Sequence, residues 1–198
     1  PKILNFKKEI YEVFSLFSER SGSSEIIDDE GIIKFRLENQ ALQYKALKHL
    51  CENPYLFSVG GDEIFLTILK SIGFMKPSFD LAPQLRCDLP VKDQSIFHQH
   101  QDYSYNIGSE NSVTIWVPLQ DVDYSMGPLR VAPGSHKYGV YPNSQGIIND
   151  EHTFEFLDVP ITFGNALIFN QKLVHESGRN ISNRVRFSIQ LRYTDLGC

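Results

Sequence analysis

The chain has 198 residues, 41% apolar and 22% charged, which suits one globular domain with a sizeable core and is too short for two comfortable ones. Its net charge of −5 argues against a nucleic-acid partner or an anionic membrane, and no apolar run is long enough to cross a bilayer. Three widely spaced cysteines, Cys51, Cys87 and Cys198, with no CxxC pair, exclude a disulfide framework or zinc ribbon and point to a reducing, cytoplasmic setting.

The opening stretch PKILNFKKEI has neither a signal-peptide apolar core nor an initiator Met. From there to about residue 76 the pattern is helical. Phe6, Ile10, Val13, Phe14 and Phe17 fall at i, i+4, i+7, i+8 and i+11. Leu42, Ala46, Leu47, Leu50 and Cys51 repeat that stripe, and Ile64, Phe65, Ile68, Leu69 and Ile72 form a third after a Gly-Gly-Asp start signal. These stripes read as core packing, and residues 1–76 as helical support.

After Pro77 the chain becomes short strands separated by Gly, Pro and Asn. LRCDLPV (85–91) alternates. SVTIWVPL (112–119) puts Val113, Ile115 and Val117 on one face and Thr114 and Trp116 on the other. FEFLDVP (154–160) and NALIFN (165–170) follow. RFSIQLRY (186–193) alternates most cleanly, with Phe187, Ile189, Leu191 and Tyr193 against Arg186, Ser188, Gln190 and Arg192. Residues 77–198 are therefore expected to form a sandwich or barrel with the helices packed outside. The Phe187 face would be covered by helices. The Arg186 face would look into the barrel, where a polar ligand would account for it.

FHQHQDYSYN (97–106) sets His98, His100 and Asp102 on alternate positions, which in a strand would share one face. Two His and one carboxylate on one side of an ion, with positions left open, is the donor set of non-haem iron(II) oxygenases. His100 and Asp102 would supply two ligands. Of the remaining histidines, His49 sits on a predicted helix, His136 in a Pro-Gly-Ser turn and His152 in an acidic loop, whereas His175 follows the apolar run 166–169 at a strand end. Eleven residues on lies Arg186, a side chain suited to gripping a carboxylate bidentately, with Ser188 beside it on the same face. An alternative ligand set is His98, His100 and His175, a cupin-like site that leaves Asp102 without a role. Arg86 and Asp88 share a face of the first strand and either reach the pocket or pair with each other. Tyr103 and Tyr105 follow the ligands and are candidates for substrate contact, as is His98. Arg130 either braces its turn or faces the mouth. Asn180-Ile181-Ser182 fits the glycosylation pattern, which carries no weight without secretion.

Four elements in this order, the His-Gln-Asp of residues 100–102, GPLRVAPGSH (127–136), His175 and Arg186 within GNALIFNQKLVHESGRNISNRVRFSIQLRY (164–193), resemble the phytanoyl-CoA dioxygenase family. The resemblance covers about residues 84–195. It implies a double-stranded β-helix, or cupin-like jelly roll, and iron(II)- and 2-oxoglutarate-dependent oxygenase activity. It implies His100, Asp102 and His175 as iron ligands, Arg186 with Ser188 as holders of the distal carboxylate of 2-oxoglutarate, and Trp116 and Thr114 as pocket walls. Gln99 departs from the family, which usually has an aromatic residue there. Asp102 favours hydroxylation, or a related desaturation or ring closure, with succinate and CO2 as co-products of O2 use, over halogenation, for which related enzymes lack the carboxylate. The substrate expected is a small polar metabolite. A peptide hydroxylase or a non-catalytic jelly-roll binding module are the alternatives, and nothing sets an oligomeric state.

Overall fold

A computed structural model describes residues 2–93, 96–149 and 151–197; Cys198 and the first position of the expected 1–198 domain lie outside it. Five helices come first among these residues: α1 (Lys2–Arg20), α2 (Asp29–Glu38), α3 (Gln40–Cys51), α4 (Pro54–Gly60) and α5 (Glu63–Ser71). The three predicted stripes lie on α1, α3 and α5. Asp62 caps α5 by accepting from the Ile64 amide, the start signal read from Gly-Gly-Asp. Helices α2 and α4 are additional. Each is short, with two or three buried residues, and each is started by a cap, Asp28 in α2 and Asn53 followed by Pro54 in α4. On α5 only Phe65 and Leu69 are buried, while Ile64 and Ile72 face solvent.

The strands are β1 (Pro77–Asp88), β2 (Ser112–Pro118), β3 (Leu129–Val131), β4 (Asn143–Ser144), β5 (Ile147–Ile148), β6 (Leu157–Val159), β7 (Leu167–Asn170), β8 (His175–Ser177) and β9 (Arg186–Asp195). One sheet runs β1-β9-β2-β7 and faces a second running β6-β3-β8. Residue 100 extends the second sheet by a bridge to β8, His100 and His175 exchanging both backbone hydrogen bonds at 3.0 Å. All pairings within the two sheets are antiparallel. The fold is a jelly roll with flanking helices.

Two strand expectations change most in extent. β1 starts at Pro77, tolerates Pro83 because the register shifts between Leu81 and Gln84, and stops at Asp88, ahead of Pro90, which has no N–H for a ladder. Of 154–160 only Leu157–Val159 pairs, because Phe154 and Phe156 turn to pack beside Ala132, Ile148 and Val174.

The alternation of β9 decides the layering. Phe187, Ile189, Leu191 and Tyr193 join Val113, Ile115 and Val117 of β2 and the helical residues Phe6, Ile10, Phe14, Leu50, Leu56 and Leu69 in one large core. The opposite face of the same strands looks into the barrel. No helix among the described residues is long and apolar enough to cross a membrane.

Candidate active site

The registers of β9 assemble the barrel interior. Arg186 pairs with Asp88 of β1, and Ser188 lies between Arg86 and Pro118. Gln190 lies between Gln84 and Trp116, and Arg192 opposite Thr114, which in turn faces Phe169 of β7. Every second residue of β9 therefore contributes to one polar column, with a β1 neighbour at each level and a β2 neighbour at Ser188, Gln190 and Arg192.

At the Arg192 level, one ligand atom each of His100, Asp102 and His175 lies within 4.8 Å of the other two, and all three residues are buried. They are brought there by different devices. His100 is on the edge bridge to β8, and His175 is the first residue of β8. Asp102 opens a 3-10 turn, Asp102–Tyr105, rather than continuing a strand. The expected strand through 97–106 is thus confined to the bridge at His100, and the side-chain alternation holds only for that point. His98 is exposed; what it contributes to the cluster is its carbonyl, which accepts from His100 Nδ1 at 2.7 Å. His175 Nδ1 donates likewise to the Leu173 carbonyl at 3.0 Å. A carbonyl can only accept, so both imidazoles carry their proton on Nδ1 and present an Nε2 lone pair, each 3.8 Å from an Asp102 oxygen.

Asp102 is clamped on both oxygens. Arg192 Nη2 donates to Oδ1 at 2.9 Å and Thr114 Oγ1 to Oδ2 at 2.6 Å. Burial alone would push this carboxyl up. The Arg192 guanidinium, helped by the two imidazoles, outweighs burial and holds it well below the usual carboxylate range. Burial first, then His175, pushes His100 down to about 3 against the pull of Asp102, and burial likewise lowers His175. At neutral pH the cluster is two neutral imidazoles and one carboxylate, the protonation states that a divalent metal requires.

Arg186 is buried and has a protein counter-ion as well as the geometry to take a bound carboxylate. Its Nε and Nη2 both reach Asp88 Oδ2, at 3.3 and 2.9 Å. The counter-ion comes from the neighbouring strand, which alternation along β9 alone does not reveal. Arg86 and Asp88 also pair with each other, at 2.5 Å. Arg86 lies over the Phe97 ring, and that ring packs beside His100. Arg186 Nη1, Ser188 Oγ and Arg192 Nε are buried with no hydrogen-bond partner among the described residues, the first two at one end of the column and Arg192 beside Asp102. Donors left unpaired on one face are costly unless an acceptor arrives.

The other expected positions fall at varying distance from this column. Trp116 is buried inside the barrel with Met126, Leu129, Phe169 and Leu173, and the Phe169 ring stands edge-on to His175. Thr114 holds Asp102. Tyr105 is exposed, its hydroxyl donating to the Gln145 carbonyl, and Tyr103 lies under the Lys172 ammonium. Arg130 is tied to Glu176 and Asp158, bracing β3 between its neighbours. Asn180 is buried, and its amide donates to the Asp88 and Arg184 carbonyls, which locks the end of β1 to the approach to β9. Arg192 was visible as a polar-face residue but its role was not, because Asp102 is ninety positions away. Gln101, fully buried, bonds the Gly139 and Lys172 carbonyls and the Tyr141 amide, fixing the chain between His100 and Asp102.

The sequence profile of the phytanoyl-CoA dioxygenase (PhyH) family matches residues 63–188, well over half of the chain. The chain belongs to this family. A phytanoyl-CoA dioxygenase of Arabidopsis thaliana is 22% identical over 144 residues, spanning 68% of this chain and 50% of the relative. The peroxisomal phytanoyl-CoA dioxygenase of Bos taurus is 30% identical over 113 residues, spanning 50% and 34%. The chain thus spans about half or less of these relatives. Among solved structures, the apo non-heme monooxygenase ThoJ superposes with a TM-score of 0.64 at 21% identity, covering 83% of this chain and 65% of that one. EvdO2 from Micromonospora carbonacea var. aurantiaca, complexed with 2-oxoglutarate, gives 0.55 at 19% identity, covering 77% and 64%. Both share the fold of this PhyH-family chain.

Proposed function

We propose that this chain is a single-domain iron(II)- and 2-oxoglutarate-dependent oxygenase that hydroxylates an unactivated C–H of a small molecule. The observation that carries the reading is the buried His100, Asp102 and His175 cluster with both Nε2 lone pairs turned inward. The unpaired Arg186 Nη1 and Ser188 Oγ on the same barrel face supply what a co-substrate carboxylate needs. These residues fit the cofactors. His100, Asp102 and His175 would hold iron(II), and Arg186 with Ser188 the distal carboxylate of 2-oxoglutarate. Once bound, metal, 2-oxoglutarate and O2 provide the oxidising power to insert oxygen into a C–H bond, with succinate and CO2 as co-products.

The protein's own part is positional. Thr114 and Arg192 keep Asp102 ionised and fix its plane, so that the carboxylate needs little reorganisation to act as a ligand. The His98 and Leu173 carbonyls set the imidazole tautomers. Trp116, Phe169 and Leu173 form an apolar wall that excludes water beside His175. Among the described residues Cys51 and Cys87 are free thiols, which supports a reducing compartment such as the cytoplasm.

Anaerobic titration with iron(II) and then 2-oxoglutarate tests this. The expected result is the weak visible charge-transfer band of a chelated 2-oxo acid, lost in Asp102→Ala and kept in His98→Ala. No band from folded wild type with excess iron would overturn the reading, and a collapse of metal binding in His98→Ala would reassign the ligands. Succinate release in a screen of small polar acceptors and peptides separates hydroxylase from binding module.

A further inference from the structure

Asp88 is the one buried carboxylate of the barrel column that the oxygenase reading leaves without a task. It is not a lone surface pair. It lies directly opposite Arg186 in the β1–β9 register, and both residues are buried. One of its oxygens takes two donors from Arg186, and the other takes Arg86 Nη2. Its backbone carbonyl is held by the Asn180 amide, so the carboxylate hangs from a fixed point. Burial would raise this carboxyl, but Arg186 and then Arg86 outweigh it and keep it lowered and charged.

Two consequences follow from that arrangement. The first concerns geometry. Nε and Nη2 are both spent on a single oxygen, so the guanidinium is gripped along one edge. Nη1 is left unpaired on the opposite side, and Ser188 Oγ, also unpaired, is two residues along the same strand face. The second concerns charge. Asp88 is shared between the buried Arg186 and the half-buried Arg86, so Arg186 has no carboxylate to itself and a further carboxylate would complete its neutralisation. Without Asp88 the Arg186 side chain would lose its lateral anchor.

We propose that Asp88 is a positioning residue of the co-substrate site: by holding one edge of Arg186 it aims the other edge at the distal carboxylate, and so confers preference for a 2-oxo dicarboxylate over a 2-oxo monocarboxylate. This rests on the oxygenase reading above and deepens it. Asp88 acts through Arg186 and touches no reacting atom.

The test compares 2-oxoglutarate with 2-oxobutanoate, which shares the metal-chelating head and lacks the distal carboxylate. Both are titrated anaerobically into iron(II)-loaded protein and followed by the charge-transfer band. Asp88→Asn should raise the Kd for 2-oxoglutarate roughly tenfold and leave that for 2-oxobutanoate within about twofold, the loss of one oriented charged hydrogen bond. Asp88→Glu, which keeps the charge but shifts it by one methylene, should show the same selective loss. Equal weakening of both ligands in the two variants, or unchanged or tighter 2-oxoglutarate binding, would overturn the proposal. If neither variant folds, Asp88 is a folding counter-ion and the proposal also fails. Wild-type protein that binds neither ligand would instead overturn the oxygenase reading, a result distinguishable from the others.

Discussion

The two faces of β9 share a backbone and differ in everything else. On the outward face Phe187, Ile189, Leu191 and Tyr193 are packed against the helices in the largest core of the molecule. On the inward face Arg186, Ser188, Gln190 and Arg192 line a barrel whose apolar cluster is much smaller. The outward face gains from close packing and needs no partner of stated geometry. The inward face keeps buried donors whose partners are few and directional, some of them unpaired. Stability and chemistry are thus separated by a side-chain period of two, and a substitution one residue along the strand should move from one regime to the other.

The largest expected effect belongs to the outward face. Phe187→Ala should destabilise the fold by about 3–5 kcal/mol through lost burial and an incompletely closed cavity. Urea unfolding measures this, and the folded fraction should still bind metal with wild-type affinity. Loss of metal affinity without loss of stability would erase the distinction between the faces.

One residue earlier, Arg186→Lys should change stability less and 2-oxoglutarate binding more. It keeps the charge beside Asp88 but loses the planar fork. The expected rise in Kd is roughly ten- to a hundredfold, or about 1.4–2.7 kcal/mol, with iron(II) binding nearly unchanged. Unaltered affinity under saturating iron would mean that Arg186 serves Asp88 alone.

The smallest effect sharpens the electrostatic side of the comparison. His100 titrates near 3 in the folded protein, against about 6.5 for an unfolded histidine. Between those values the unfolded chain binds the extra proton, so the stability of the metal-free protein falls as pH drops from about 6.5 towards 3. Asp102, whose folded carboxyl is depressed, adds a further loss in the same direction, but only as pH falls below its unfolded value of about 3.9. From pH 7 to 5 His100 alone accounts for a loss of about 2 kcal/mol and His175, lowered by burial as well, adds to it; the loss is measured as the urea midpoint in chelator and should shrink in His100→Asn. A flat profile would show that these imidazoles titrate as they do in water.

Much of this molecule was legible as sequence because it depends on local periodicity. A period of 3.6 placed α1, α3 and α5, and a period of two assigned both faces of β2 and β9. The family pattern picked out His100, Asp102, His175 and Arg186 in their order, since spacing along the chain is what such a pattern records. Two helices escaped because α2 spreads Ile32, Ile33, Phe35 and Leu37 round more than half of its circumference and α4 is only seven residues long, so neither shows a narrow stripe. Tertiary structure alone decided the pairing across strands. It set Asp88 against Arg186, and Arg192 and Thr114 against Asp102. It turned Asp102 into a 3-10 turn where alternation had suggested a strand, and it placed the His98 side chain in solvent while using its carbonyl. The physical reason is that a buried charge is satisfied by whatever lies beside it in space. Register, bulges and barrel closure choose that neighbour, and none of the three is written in the spacing of residues along one strand.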